Sequence, residues 1–207
     1  MQPLAPGWYW DPGNRPGMYC WWNGHDWTQH LSARRDIAPP EEIERATVVD
    51  GHLVAGGLRF PMLDGWEPCP GYPHMKGVQG QQLVVGKTPR GPYVGVVFVG
   101  GLPEKYGVDL HEAGMAFADE MLHTYYPHEK PHAGLEPHTE PVLGRPGWVL
   151  AVPLDVDDPS LDLLEEDALF VVVDTPTDGL AVLFASLPRT GELVPSTTEV
   201  LERLQLA

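Results

Sequence analysis

The sequence predicts an α+β protein, in which a small Trp-rich three-stranded β meander is followed by an antiparallel sheet flanked by helices. Three observations support this prediction. Gly and Pro, with 23 of each among 207 residues, are more frequent than average and are typical of chains with many turns. Five of the seven Trp residues fall within the first 27 positions. Beyond them, strand patterns joined by short turns surround two helical patterns, and short turns require antiparallel pairing.

Two turn signals divide the N-terminal region into three strands. Asn23-Gly24, the strongest short marker of a two-residue hairpin, separates residues 18–22 from residues 25–30. Asp11-Pro12-Gly13-Asn14 supplies the turn after residues 8–10. Because this meander is smaller than independently folding domains usually are, its aromatic rings must pack on one another or on a further surface.

The aromatic side chains of the meander are the first candidate binding site. Alternation along a strand places Trp8 and Trp10 on one face, and it places the adjacent Trp21 and Trp22 on opposite faces. Some of these rings hold so small a unit together, and rings that stay exposed form a candidate binding surface. We define the aromatic patch as Trp8, Trp10, Tyr19, Trp21, Trp22 and Trp27.

Charge divides the chain into two parts. Residues 1–35 carry a net charge of +1 and the other residues carry −17, for a total of −16. The boundary lies in a stretch rich in Pro and Glu. We therefore predict a meander module at residues 1–31, a linker at residues 32–50 and an α+β domain at residues 51–207. A chain this acidic repels nucleic acids and anionic membranes.

The elements of the α+β domain follow from turns, one apolar run and two helix starts. Residues 94–99 are continuously apolar, as in a central strand that is covered on both faces. Asp109 and Ser196 are predicted helix N-caps, and each is followed three residues later by Glu. The predicted strands are residues 53–55, 58–62, 81–88, 92–99, 147–154, 168–174 and 180–187.

An acidic stretch is the second candidate binding site. No Lys or Arg occurs between Arg145 and Arg189. Asp155 and Glu166 have the spacing of the first and twelfth positions of an EF-hand, but Ser160 stands where the calcium loop needs Gly, which excludes that site. The stretch is either a solvated loop or a docking surface for a basic partner. We define the acidic patch as Asp155, Asp157, Asp158, Asp162, Glu165 and Glu166.

The sequence contains no catalytic signature. It has no phosphate-binding loop and no nucleophile motif. In the His-rich region at residues 111–138, His128 and His132 lie four positions apart, but neighbouring prolines break the helix that such a metal site requires. The region is best explained as a polar loop, and a weak surface transition-metal site is the alternative. The two cysteines, Cys20 and Cys69, are too few for a Cys-rich zinc site. We therefore predict no catalytic residue, no metal and no cofactor.

Three segments carry a resemblance to a known family. They are Pro6-Gly7-Trp8-Tyr9-Trp10-Asp11-Pro12-Gly13, Tyr19-Cys20-Trp21-Trp22-Asn23-Gly24 and Trp27-Thr28. Together they resemble the domain of unknown function 2510, a short Trp-rich family common in actinobacterial proteins. Trp10 stands where that family usually has Pro, and Cys20 where it often has Arg. The layout is also similar to WW modules, in which an aromatic pair binds a proline-rich segment. The resemblance implies an interaction or tethering module.

The order of elements after residue 58 carries a second resemblance. An entry strand ends in a Gly65-Trp66 turn, a strand pair and a helix follow, and a three-strand meander opens near Gly147-Trp148 before the closing helix. This order resembles the PsbP/Mog-like α/β/α sandwiches. The resemblance implies helices on both faces of the sheet. It also implies a non-enzymatic binding protein, because members include partners of small GTPases, photosystem assembly factors and chaperone-like adaptors.

These features predict a non-catalytic protein-interaction adaptor or chaperone-like protein of an actinobacterium, linked to secretion or envelope machinery. The expected partners are other proteins, with basic or proline-rich segments, and neither nucleic acid nor membrane insertion is expected. The N-terminus lacks a signal-peptide pattern, so the predicted location is cytoplasmic. The alternative is an enzyme or small-molecule-binding protein with a cleft between sheet and helix, lined by His111, Glu120 and His123.

Overall fold

The chain divides into two compact units, Met1–Ile43 and Glu44–Ala207. The predicted turn at Asn23-Gly24 and most of the predicted linker lie outside the residues that the structure describes. The structure is a computed structural model, and it describes residues 5–11, 17, 19–22, 27–32, 35, 48–69, 74–88, 91–126, 130–131, 136–156, 165–176, 179–189 and 193–207.

The first unit contains a three-stranded antiparallel sheet, which confirms the predicted meander. The strands are β1 (Gly7–Trp10), β2 (Tyr19–Trp22) and β3 (Trp27–Ser32), and they lie side by side in chain order. β1 and β2 pair continuously, from Gly7 opposite Trp22 to Trp10 opposite Tyr19. The register between β2 and β3 shifts between Cys20 and Trp22.

The second unit contains two antiparallel sheets and, among its described residues, two α-helices. The helices are α1 (Leu110–Tyr125) and α2 (Thr197–Arg203), and a 3-10 turn spans Glu104–Tyr106. The strands are β4 (Val48–Val49), β5 (His52–Ala55), β6 (Leu58–Pro61), β7 (Glu67–Cys69), β8 (Lys76–Thr88), β9 (Gly91–Gly101), β10 (Lys130–Pro131), β11 (His138–Val142), β12 (Arg145–Asp155), β13 (Glu165–Thr175), β14 (Gly179–Pro188) and β15 (Gln205–Leu206).

The larger sheet has eight strands in the order β10-β12-β13-β14-β9-β8-β7, with β11 pairing with β12 on the same side as β10. The smaller sheet has four strands in the order β15-β6-β5-β4. β9, which contains the apolar run at residues 94–99, lies between β14 and β8. The predicted central strand is therefore confirmed.

Different layers cover the two faces of the eight-stranded sheet. On one face, the ring of Phe170 in β13 lies 6.1 Å from the ring of Phe117 in α1. The neighbouring Leu169 and Val171 point to the other face, because side chains alternate along a strand. There they share a core with Phe60 of the four-stranded sheet and with α2. A helix thus covers one face, and a second sheet covers most of the other.

This architecture corrects the predicted fold class. The predicted α+β fold, an antiparallel sheet flanked by helices in an α/β/α sandwich, is wrong, because the described residues are mostly β-strand and form three antiparallel sheets. The hairpin of β5 and β6 is confirmed, but alternation of apolar residues does not reveal which sheet a hairpin joins. The strands β4, β7, β10, β11 and β15 have no counterpart in the prediction, because two to five residues are too few to show a period of two.

Both predicted helix caps are confirmed. The Asp109 carboxylate accepts hydrogen bonds from the backbone N–H groups of His111, at 3.0 Å, and Glu112, at 2.9 Å. Ser196 and Glu199 form the reciprocal capping box at the start of α2. Among the described residues, no helix combines the length and the apolar character needed to span a bilayer.

Candidate functional site

Four of the six residues of the aromatic patch share one face of the meander. The register places Trp8 opposite Trp21 and Trp10 opposite Tyr19, and directly opposed residues project from the same face. The rings of Trp10 and Tyr19 stack with their centroids 4.5 Å apart. The rings of Trp8 and Trp21 meet edge to face at 5.4 Å. This face therefore carries two pairs of contacting aromatic rings.

The rings of this face differ strongly in exposure. Trp8 is 6% exposed, so it belongs to the small core of the unit. Trp10 is 66% exposed, and Tyr19 and Trp21 are half-buried. Trp10 thus presents one open ring face to solvent while Tyr19 supports the other. A large rigid side chain of this kind is typical of the anchors that dominate protein interfaces.

Trp22, the fifth described residue of the aromatic patch, lies on the opposite face. Trp22 is half-buried and lies opposite Gly7 in β1 and opposite Trp27 in β3. The side chain of Trp27 lies outside the described part of the chain. Trp21 and Trp22 do point to opposite faces, as alternation predicts, and neither is as exposed as Trp10.

Glu166 does not lie on the surface, contrary to its inclusion in the acidic patch. It is 3% exposed. Its carboxylate accepts a hydrogen bond from the Ser186 hydroxyl at 2.6 Å and another from the Tyr93 hydroxyl. Because Glu166 alternates with Glu165 and Asp167 along β13, its side chain points into the sheet face that α1 covers. Nothing in the sequence distinguishes the buried Glu166 from its ionisable neighbours Glu165 and Asp167.

Arg189, the residue directly after β14, pairs with Glu165 of the acidic patch. Arg189 Nε and Nη2 donate hydrogen bonds to the two carboxylate oxygens of Asp167, at 2.9 and 2.8 Å, and Nη1 donates to Glu165. The pairing with Asp167 and Glu165 raises the pKa of Arg189. Although no Lys or Arg lies between Arg145 and Arg189 in the sequence, Arg189 itself neutralises Glu165. Asp155 is exposed, whereas Asp157, Asp158 and Asp162 lie outside the described residues.

Glu120 of α1 lies in a cluster of ionisable side chains that come from three segments of the chain. Lys105 Nζ donates hydrogen bonds to both Glu120 carboxylate oxygens, at 2.8 and 2.9 Å. His74 Nδ1 lies 2.8 Å from Glu120 Oε1. The hydrogen bonds from Lys105 lower the pKa of Glu120, and the same contact raises the pKa of Lys105. The cluster ties α1 to the 3-10 turn and to the segment that precedes β8.

The two histidines of the alternative cleft do not join this cluster. His111 is exposed at the start of α1, and a separation of nine residues places it on the opposite side of the helix from Glu120. His123 is exposed in the last turn. In the described part of the chain, no group of three His, Cys, Asp or Glu residues could hold a metal ion. The contacts of Glu120 with His74 and Lys105 are tertiary, and no sequence motif announces them.

Neither cysteine is suited to act as a reactive thiolate. Cys20 and Cys69 are both free and buried. Burial raises the pKa of the Cys69 thiol to about 12. A thiol with such a pKa is protonated at neutral pH and is a poor nucleophile.

Glu120 makes acid stability testable. Because its pKa is lower in the folded state than in the unfolded state, its pairing stabilises the fold above the ordinary value of 4.5 and loses that effect as pH falls through the folded value. We expect the melting temperature of the wild-type protein to fall more steeply below about pH 4.5 than that of Glu120→Gln. Melting curves recorded from about pH 3 to pH 7 measure this difference.

Asp119→Asn is the charge-matched control for this experiment. It removes one carboxylate from the neighbouring exposed position of α1 and leaves the contacts of Glu120 with His74 and Lys105 in place. We expect its melting temperature to follow that of the wild type over the acid range. Parallel acid profiles for the wild type and Glu120→Gln would contradict a stabilising role of the cluster.

Comparisons with known proteins agree with part of the sequence analysis. No curated protein matches this sequence. A solved structure to which this chain is similar is the solution structure of cyanobacterial PsbP (CyanoP) from Synechocystis sp. PCC 6803, with a TM-score of 0.42 and 13% sequence identity over 73% of this chain and 88% of that chain. Residues 6–41, which contain the Trp-rich meander, match the family described as "Protein of unknown function (DUF2510)".

Proposed function

We propose that this protein is a non-catalytic adaptor and that its aromatic patch binds a partner protein through the face formed by Trp8, Trp10, Tyr19 and Trp21. The observation that carries this proposal is the 66% exposure of Trp10 in a ring stacked on Tyr19. An indole held rigidly by a second ring loses little conformational freedom on binding, so most of its burial contributes to affinity.

The electrostatics of the described residues favour the aromatic patch over the acidic patch as the main contact. Arg189 pairs with Glu165 and Asp167, and Glu166 is buried, so the described part of the acidic patch has less free charge than its sequence indicates. The proposal includes an adaptor or chaperone-like role in actinobacterial secretion or envelope machinery. It also includes a cytoplasmic location.

Trp10→Ala is expected to abolish partner binding without unfolding the protein. The side chain is mostly exposed, so its removal costs the fold little, whereas loss of a central aromatic anchor typically weakens an interface by about 30-fold or more. Affinity purification with crosslinking identifies the partners, and calorimetric titration with the principal partner measures the loss.

Val108→Ala provides the matched control, because Val108 is an exposed apolar residue at 89% and lies in the second unit. The Val108→Ala variant should bind the partner with the affinity of the wild type. Circular dichroism and melting curves of both variants establish that the folds are intact. Equal recovery of the partner with wild type and with Trp10→Ala would rule out the aromatic patch as the binding surface.

A further inference from the structure

The outer face of the four-stranded sheet carries apolar side chains that the core does not use. Leu53 and Phe60 point inward and are 0% exposed. Val54, the strand neighbour of Leu53, points outward and is 36% exposed. Val49 of β4 lies opposite the outward-pointing His52 and is 50% exposed. We define the outer-sheet surface by the residues that alternation and register place on this face, namely Val49, His52, Val54, Arg59, Pro61 and Gln205.

A cation without a carboxylate partner lies on this surface. Arg59 is half-buried, and no ion pair joins it to a carboxylate within the described ranges. Its Nε is buried and has no hydrogen-bond partner among the described residues. By contrast, Lys76, Lys105 and Arg189 each lie within 4 Å of a carboxylate.

His52 does not replace the missing carboxylate. Its Nδ1 lies 3.0 Å from Arg59 Nη2 and also 2.8 Å from the backbone carbonyl oxygen of Asp50. One ring nitrogen either donates to the carbonyl oxygen or accepts from the guanidinium, and it cannot do both. Histidine supplies no negative charge in either case. Arg59 therefore retains N–H donors that are best matched by an anionic acceptor.

We propose that the outer-sheet surface binds a protein segment in which an acidic side chain lies between aliphatic side chains. The carboxylate would pair with Arg59, and the aliphatic groups would cover Val49 and Val54. Charge complementarity selects this occupant. The net charge of −16 repels polyanions such as nucleic acids and anionic membranes, whereas one carboxylate beside apolar groups meets the local charge of Arg59. The surface shares no residue with the aromatic patch, because its residues belong to the other unit.

Selection from a random peptide library displayed on phage, with the full chain as bait, tests this proposal. We expect the wild type and Trp10→Ala to enrich peptides in which Asp or Glu is flanked by Leu, Ile or Val, and Arg59→Gln to lose this set. A synthetic peptide from the set should bind Arg59→Gln about ten-fold or more weakly than wild type. Replacing its acidic residue with the corresponding amide should have the same effect.

Two further variants make the result specific. Val54→Thr keeps a β-branched residue on the strand and removes apolar contact area, so it should weaken peptide binding about three-fold. Lys87→Gln removes an exposed cation from β8 and should leave binding unchanged. Melting curves verify that each variant is folded. If Arg59→Gln does not fold, the binding of Val54→Thr and the binding of the amide peptide test the proposal instead.

Four outcomes of the peptide experiments would overturn the proposal. They are the absence of an acidic-aliphatic set, equal binding by the amide peptide, equal losses with Arg59→Gln and Lys87→Gln, and enrichment only of peptides that depend on Trp10. Self-association of the wild type that Arg59→Gln abolishes would assign the surface to a second copy of the chain and would also overturn it. Loss of binding with Trp10→Ala alone concerns the aromatic patch, so the two proposals fail separately.

Discussion

Gln81→Leu is expected to lower the free energy of unfolding by about 3 kcal/mol, because it leaves a buried backbone N–H and a partly buried carbonyl oxygen without their hydrogen-bond partner. Gln81 is 0% exposed in β8. Its Oε1 accepts a hydrogen bond from the backbone N–H of Leu63 at 2.8 Å, and its Nε2 donates to the backbone carbonyl oxygen of Pro61 at 3.0 Å. The Gln81 side chain therefore supplies hydrogen-bond partners to two backbone groups at the end of β6 and just after it, and it connects the four-stranded sheet to the eight-stranded sheet.

Gln82→Leu provides the matched control in the next position of the same strand. Gln82 is half-buried and, by alternation, points to the opposite face. We expect its free energy of unfolding to change by less than about 0.5 kcal/mol. Urea denaturation of the two variants measures both values. A loss for Gln81→Leu no larger than that for Gln82→Leu would show that the contacts of Gln81 do not stabilise the junction of the sheets.

Local signals in the sequence predicted the elements well, because each signal acts within a few residues. Asp109 and Ser196 satisfy N–H groups two or three positions away, so a cap is visible in sequence. The sequence does not show which strands share a sheet. Gln81 is polar in a core position, and only its contacts with Pro61 and Leu63 reveal that it joins two sheets.

The same distinction explains what could be predicted of the candidate sites. The pairing of β1 and β2 follows from alternation and turns, so the shared face of Trp8 and Trp10 was predictable. Their exposures of 6% and 66% depend on what packs against each ring, and composition does not specify this. The neutralisation of Glu165 by Arg189 likewise arises across two strands.

Gly114→Ala is expected to destabilise the protein by about 1–3 kcal/mol, although alanine is a better helix former than glycine. Gly114 is buried in α1, where the helix packs on Trp148 of β12. A Cβ at residue 114 would lie 2.4 Å from Cδ2 and 2.6 Å from Cε3 of the indole. Trp148 is 0% exposed, so its ring cannot move away without displacing its neighbours. Thermal denaturation of Gly114→Ala and wild type measures the loss.

The double variant Gly114→Ala/Trp148→Phe separates steric overlap from helix propensity. The smaller Phe ring leaves room for the new methyl group, so the double variant should be more stable than the sum of the two single changes predicts. Ala116→Gly, at an exposed position of the same helix, should instead cost about 0.5–1 kcal/mol through backbone entropy alone. Additive losses in the double variant would contradict a clash with Trp148, whereas a stabilising Gly114→Ala would show that α1 does not approach β12 as closely as described.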